Sequence, residues 1–429
     1  MKFNPVTSNK SLRVCLLILT ILMGFYSRAA AQSDKDYTSV TSGVRFQYIK
    51  TFDIKKLNSI LSQELEAFLA TSTAGPKAFA DSFPPASCAV KLYRVAYNSV
   101  IPELGNRPTM ASGLVAIPEN GLDSMPVVMY QHGTVFSKYE VPSVPDSSSE
   151  TRIMIARFAA QGYIVIAADY FGRGLSDLPD SYLVNRSTQQ ACVDMLAAAK
   201  AVLASKKIKT GPFFISGWSQ GGWATMTFLH KLESLDITVT AAATASAPVD
   251  IAVTMNRWLN NYQPVDAVYL PACVALQVLA QEYYLRQNGL AESAIRPEYL
   301  QAARNLYSNN INWTTFRKLT RDKLQDFMKP EFMASGDIGD SPYWQTLEQS
   351  QAYRWRSHTP LKNYYGGLDE VVPTYIATLP EAFHKVLGCG PTKAVYAGDK
   401  ADHRATFIYA VLHQKPWFDG FLQKSALIH

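Results

Sequence analysis

The sequence predicts an α/β domain, a mostly parallel central sheet flanked by helices and interrupted by a helical cap. Three observations predict it. Short apolar runs alternate with helical patterns from Cys88 onward, the rhythm of buried strands crossing over through helices. A Gly-x-Ser-x-Gly turn, Gly217-Trp218-Ser219-Gln220-Gly221, sits between one such run and the helix that follows. The alternation lapses from about Ile251 to Arg356, where helix formers, aromatics and Asn dominate, and then resumes.

Residues 32–85 read as a polar, amphipathic lead-in with a helix around Leu57–Leu69. Ala89–Tyr97 and Ala111–Ile117 are expected strands, joined by a turn-rich segment with Pro102, Gly105 and Pro108. Pro126–Gln131 reads as a buried strand entering a loop at His132-Gly133. A helix at Glu150–Gln161 stops at Gly162. The strand Tyr163–Ala168 then runs into Asp169-Tyr170-Phe171-Gly172-Arg173-Gly174, best explained as a structural turn. Helix Gln189–Ser205, strand Pro212–Ser216, helix Gln220–Glu233 and strand Ile237–Ala245 follow. After the helical block come strand Leu361–Tyr365, a helix near Pro380–Leu387, strand Lys393–Ala397 and a last helix over Arg404–Leu422. The organisation expected is therefore a leader over 1–31, the lead-in over 32–85, and a core in two parts, 86–250 and 357–429. A cap over 251–356 is inserted between the two parts.

The chain has 429 residues, 48% hydrophobic and 18% charged, enough for a sizeable core and unlike a disordered or fibrous protein. Lys2, Lys10 and Arg13 precede an apolar run, Val14–Phe25, which Ala29-Ala30-Ala31 closes. That order marks a secretory signal cleaved after Ala31, and hence a secreted or periplasmic protein. The leader carries four basic residues and no acid, so removing it takes the formal charge from +6 to +2. The near-neutral remainder shows no basic run of the kind that binds nucleic acid. Cys88, Cys192, Cys273 and Cys389 permit two disulfides outside the cytoplasm, in three alternative pairings, and match no metal-site spacing.

A serine hydroxyl needs a base to take its proton, and it must stand clear of its neighbours to reach a carbonyl. A tight strand-to-helix turn provides the second condition, and it leaves no room for side chains at Gly217 and Gly221. Ser219 is thus the expected nucleophile. Of seven histidines, only His403 lies in a loop directly after the last strand. His132 belongs to an earlier loop, His230, His384 and His413 fall in helical patterns, His358 precedes a strand, and His429 is terminal. His403 is therefore the expected base. Asp369, in the Gly366-Gly367-Leu368-Asp369 turn, is the expected acid that orients it; Glu370, Asp250 and Asp402 are its rivals. The oxyanion that forms needs aimed donors. One is the N–H of Gln220 and the other comes from Gly133 or Thr134. No metal or organic cofactor is implied, since this chemistry requires none.

Together His132-Gly133, Asp169-Tyr170 with its glycines, the GWSQGG turn, GGLDEVVP and the His403 loop resemble the α/β-hydrolase superfamily over residues 86–429. The chain order Ser219, Asp369, His403 is the order that fold uses. Within the superfamily, the turn, the long insert and the leader look like the secretory lipases and their bacterial esterase-like relatives. The resemblance implies an α/β-hydrolase fold with an inserted cap and the hydrolysis of carboxylic esters, lipid esters among them. It implies a cap that acts as a lid in transient contact with a lipid interface, with no obligate protein partner. Two other functions keep the same fold. A serine exopeptidase would use cap acids such as Glu282, Glu292 and Glu298 to hold a substrate amine. A non-catalytic binding protein would need no intact Ser, Asp and His.

Overall fold

In this computed structural model the described residues are 36–79, 82–334 and 341–426. The expected leader over 1–31 and its cleavage site lie outside them. The chain divides into two units, Met1–Ser39 and Val40–His429. In the first unit only 36–39 are described, and a short strand, β1 (Thr38–Thr41), crosses the boundary.

The second unit is built on strands β2 (Val44–Phe52), β3 (Val90–Ile101), β4 (Arg107–Pro118), β5 (Ser124–Gln131), β6 (Ile164–Ala168), β7 (Lys209–Trp218), β8 (Ala241–Ala245), β9 (Leu361–Tyr365) and β10 (Thr392–Tyr396). They lie side by side in the order β2-β3-β4-β6-β5-β7-β8-β9-β10. The pairs from β2 through to β4–β6 are antiparallel, and those from β5–β6 through to β10 are parallel. The crossover at β5 and β6 puts β5 beside β7 in the middle of the parallel part.

Alternation along the strands buries the sheet on both faces. On β4, Val115 and Ile117 point into one apolar layer and Leu114 and Ala116 into the other; on β6, Ile164, Ile166 and Ala168 oppose Val165 and Ala167. Each Val, Leu or Ile among them contributes roughly 1.5–3 kcal/mol by leaving water. Helices Asn185–Ser205 and Gln220–Ser234 cover the first face, and Ser149–Phe158 and His403–Ala426 the second.

Two expectations need correction. The lead-in is not only polar chain and helix: Val44–Phe52 is a nine-residue strand paired in antiparallel register with β3. Its residues are mostly half-buried, which weakens the apolar alternation that marks a strand. The helix near Pro380 begins earlier, at Thr374, and holds Pro380 inside it. Proline favours a first turn, so it misplaced the start. Among the described residues Cys88, Cys192, Cys273 and Cys389 are free thiols, and the first three are buried.

Between β8 and β9 the described residues form helices, from Ile251–Asn260 and Leu270–Tyr284 to Pro342–Gln349. A single antiparallel bridge, Ile295 with Met328, is their one strand-like contact. No helix among the described residues is long and apolar enough to cross a membrane.

Candidate active site

The parallel register brings five strand ends level. Gln131 of β5 lies opposite Gly217 of β7, Trp218 opposite Ala245 of β8, Ala245 opposite Tyr364 of β9, and Tyr365 opposite Tyr396 of β10. The loops that leave these ends carry Thr134, Ser219, Asp369 and His403, so residues nearly three hundred positions apart in the chain meet at one edge of the sheet.

Ser219 has φ 59° and ψ −126°, a left-handed backbone that costs a non-glycine residue about 1–3 kcal/mol. Its N–H donates to Ala245 O at 2.9 Å, and its own carbonyl accepts from Gly222 N–H at 2.8 Å. The flanking glycines are obligatory here. A Cβ on Gly217 would lie 2.1 Å from Gly221 O, and one on Gly221 would lie 1.9 Å from Gln131 O. The turn holds the Ser219 side chain on the wall of a cavity of about 410 Å³, which His403 also lines.

His403 opens the last helix. Its Nδ1–H donates to Asp369 Oδ1 at 2.9 Å, and neither its Nε2 nor Ser219 Oγ has a hydrogen-bond partner among the described residues. Asp369 Oδ1 also accepts Val371 N–H at 3.0 Å and Val372 N–H at 2.8 Å, which locks the carboxylate in its own turn. Burial works against a charge on Asp369, but the facing imidazole and its hydrogen bond prevail and hold the carboxyl below the usual carboxylate range. Burial likewise disfavours the imidazolium, and here Asp369, reinforced by Glu370 and Asp402, prevails and raises His403 above its ordinary value.

The rivals have other duties. Glu370 accepts the backbone N–H of His403 at 3.0 Å. Asp250 caps helix Ile251–Asn260 through Val253 N–H and accepts from Tyr353 and Arg354. Asp402 caps the last helix through Ala405 N–H at 2.9 Å and accepts from Ser72 Oγ and Thr73 N–H. That tie secures the His403 loop to the chain before β3, a link no local pattern shows. Asp169 is buried, accepts Ser112 Oγ and Ser143 N–H, and stabilises its turn as expected.

The loop after β5 separates the two oxyanion candidates. Gly133 N–H donates to Glu150 Oε1 at 2.8 Å, whereas Thr134 N–H has no hydrogen-bond partner among the described residues and Thr134 lines the cavity. Gln220 is the first residue of its helix, where an amide has no carbonyl a turn behind it, and it too lines the cavity. His132 is not a base here. It is fully packed, stacked on Tyr170 at 4.4 Å, and burial pushes its pKa down to about 4.

Three side chains have roles that motif reading missed. Trp218 donates from Nε1 to His403 O at 3.1 Å and stacks on Phe407 at 4.9 Å, bracing the histidine. Glu150, buried beneath the β5 loop, is pushed up to about 7 by desolvation. Glu140 reaches the cavity from a surface loop. Of the cap aromatics, Trp258, Tyr269 and Trp313 line the cavity, with Trp313 stacked on Phe136 at 5.3 Å; Tyr262, Tyr283, Tyr284, Phe316 and Trp344 do not. Glu282 and Glu292 lie outside the cavity and pair with Arg304, and Glu298 is not among its lining residues. Among the described residues, no three His, Cys, Asp or Glu side chains are grouped to hold a metal.

The fold recurs in solved structures. A protein of Legionella pneumophila described as a hydrolase superposes with TM-score 0.75 at 20% identity, over 90% of this chain and 98% of its own. A mutant of the rice cell wall degrading esterase LipA from Xanthomonas oryzae superposes with TM-score 0.75 at 19% identity, over 91% and 99%. The chain has the α/β-hydrolase fold. Candida antarctica lipase A in its closed state shares the fold more distantly, with TM-score 0.57 at 15% identity over 73% of each chain. A family model described as serine aminopeptidase, S33, matches residues 144–320. No curated protein matches it.

Proposed function

We propose that this chain is a serine hydrolase of carboxylic esters, acting through Ser219, His403 and Asp369. The observation that carries the reading is the 2.9 Å bond from His403 Nδ1 to Asp369, which leaves Nε2 free at the cavity that Ser219 lines. In this scheme Ser219 Oγ attacks the ester carbonyl carbon while its proton passes to His403 Nε2. The oxyanion accepts from the amides of Gln220 and Thr134. The tetrahedral intermediate collapses, and the leaving alkoxide takes the proton from Nε2. Water then attacks the acyl-enzyme by the same route and restores Ser219.

The helices between β8 and β9 act as the cap of this site, over 251–356, and share its apolar lining with the core, supplying Ile251, Met255, Trp258, Tyr269 and Trp313. The leader over 1–31 supports export, so the enzyme works outside the cytoplasm. The esterase and lipase names of the structural neighbours support an ester substrate, and the aromatic lining suits an apolar acyl group. A second reading, peptide hydrolysis, is favoured by the serine aminopeptidase match and by Glu140, the carboxylate at the cavity.

The test is turnover of p-nitrophenyl esters of increasing chain length beside aminoacyl-nitroanilides. Ester hydrolysis that is abolished in Ser219→Ala, with the fold intact, supports the first reading. Turnover of the anilides alone transfers the reading to the second, and turnover of neither overturns both.

A further inference from the structure

Which way an amide N–H points is set by its own peptide plane. The Thr134 N–H belongs to the peptide that joins it to Gly133, and in a trans peptide the carbonyl and the N–H point in opposite directions. In its Nδ1–H tautomer His132 donates to the Gly133 carbonyl oxygen, 2.7 Å away and nearer than the Asp169 carbonyl that faces Nε2 at 3.3 Å. With that carbonyl held by His132, the Thr134 N–H is turned to the opposite side. The preceding peptide is held independently, since Gly133 N–H donates to Glu150 Oε1 at 2.8 Å. Tyr130 OH donates to the same carboxylate oxygen. Glu150 is 8% exposed and stands in the first turn of helix Ser149–Phe158, so the packed second face fixes where its carboxylate sits. The far end of the loop is secured by Thr134 Oγ1 and Tyr182 OH, 2.9 Å apart. The loop is thus clamped at consecutive peptides, by the packed ring of His132 and by a carboxylate outside the Ser–His–Asp set.

We infer that Glu150 is a positioning residue for the oxyanion site, holding the Gly133 amide so that the Thr134 amide faces the reacting carbonyl oxygen. The inference rests on the serine hydrolase reading. It adds a carboxylate that never touches substrate and acts only through the loop. Burying a carboxylate is costly unless it is hydrogen-bonded, and its bonds from Tyr130 and Gly133 tie it to the strand and loop that carry the donor. Losing one aimed donor typically lowers turnover about 10²–10³-fold. Loosening that donor is expected to cost somewhat less, with substrate binding barely altered.

Three variants test this: Glu150→Ala removes the acceptor, Glu150→Asp withdraws it by one methylene, and Glu150→Gln keeps an acceptor oxygen without the charge. Expected are a kcat about 10- to 100-fold lower in the Ala and Asp variants with KM within about twofold. The Gln variant is expected to recover to within about threefold of the parent. The rate at which a fluorophosphonate reacts with Ser219 should fall in parallel, because that reaction needs the same donors and no ester. Parent-like kcat in the Asp variant, a loss confined to KM, or a Gln variant as impaired as Ala overturns the inference. Should Glu150→Ala fail to fold, the Asp and Gln pair decides. A protein that turns over no ester but whose phosphonate labelling falls with these variants overturns the ester reading and supports the role of Glu150.

Discussion

Glu370 accepts the backbone N–H of His403 at 3.0 Å while its neighbour Asp369 binds the ring at 2.9 Å. Two adjacent carboxylates thus divide one histidine, Asp369 setting its tautomer and Glu370 seating its main chain. Their replacement should separate accordingly. In Asp369→Asn the amide still meets the turn, but it opposes the Nδ1–H tautomer, and kcat should fall about 10⁴-fold. Glu370→Gln keeps an acceptor for the His403 amide and should stay within about tenfold of the parent. Steady-state kinetics on one ester, run side by side, checks both.

The pH dependence follows from His403. A general base must be neutral, and the Asp369 carboxylate lifts this imidazole above its ordinary 6.5 against the effect of burial. The rate kcat/KM should therefore rise with pH through a midpoint above 6.5. Stability should move the other way. A histidine whose folded pKa is raised contributes fully below its unfolded value, and that contribution is lost as pH rises through the folded one. Activity and denaturant melts recorded from pH 6 to 9 should show the rate growing while this part of the stability fades. A rising limb centred below 6.5 would contradict the assignment.

Gly221→Ala should fail structurally rather than chemically. The added methyl would sit 1.9 Å from Gln131 O and 2.6 Å from His132 O, backbone atoms that cannot swing aside. A loss of about 3 kcal/mol or more is expected, read as a lowered unfolding midpoint.

Trp313 stacks on Phe136 at the cavity wall, where an apolar acyl group would lie. Trp313→Ala should raise KM for long or aromatic acyl esters about tenfold and leave short esters nearly unchanged. A chain-length series on the two proteins measures this. Equal effects across the series would place the acyl group elsewhere.

How much of this was legible beforehand depends on how locally each feature is encoded. The nucleophile turn is a matter of a few consecutive residues: Gly217 and Gly221 are required by clashes within the turn and with β5, and the strand before it is an apolar run. The alternation of strands and helices is local as well, which is why β9 begins at Leu361 and ends at Tyr365 as its pattern indicates. Strand β2 is obscured because only one of its nine residues is fully buried, so the alternation of side chains carries little signal.

The chain by itself determined the order of its parts and the identities of Ser219, His403 and Asp369 as candidates. Tertiary structure decided which of Gly133 and Thr134 keeps a free amide, that Asp250, Glu370 and Asp402 serve backbone rather than ring, and which cap aromatics reach the cavity. The physical reason is that hydrogen-bond partners such as Glu150 with Gly133, or Asp402 with Ser72, are chosen by strand register and packing between distant segments. Sequence spacing encodes only what neighbours along the chain do to one another.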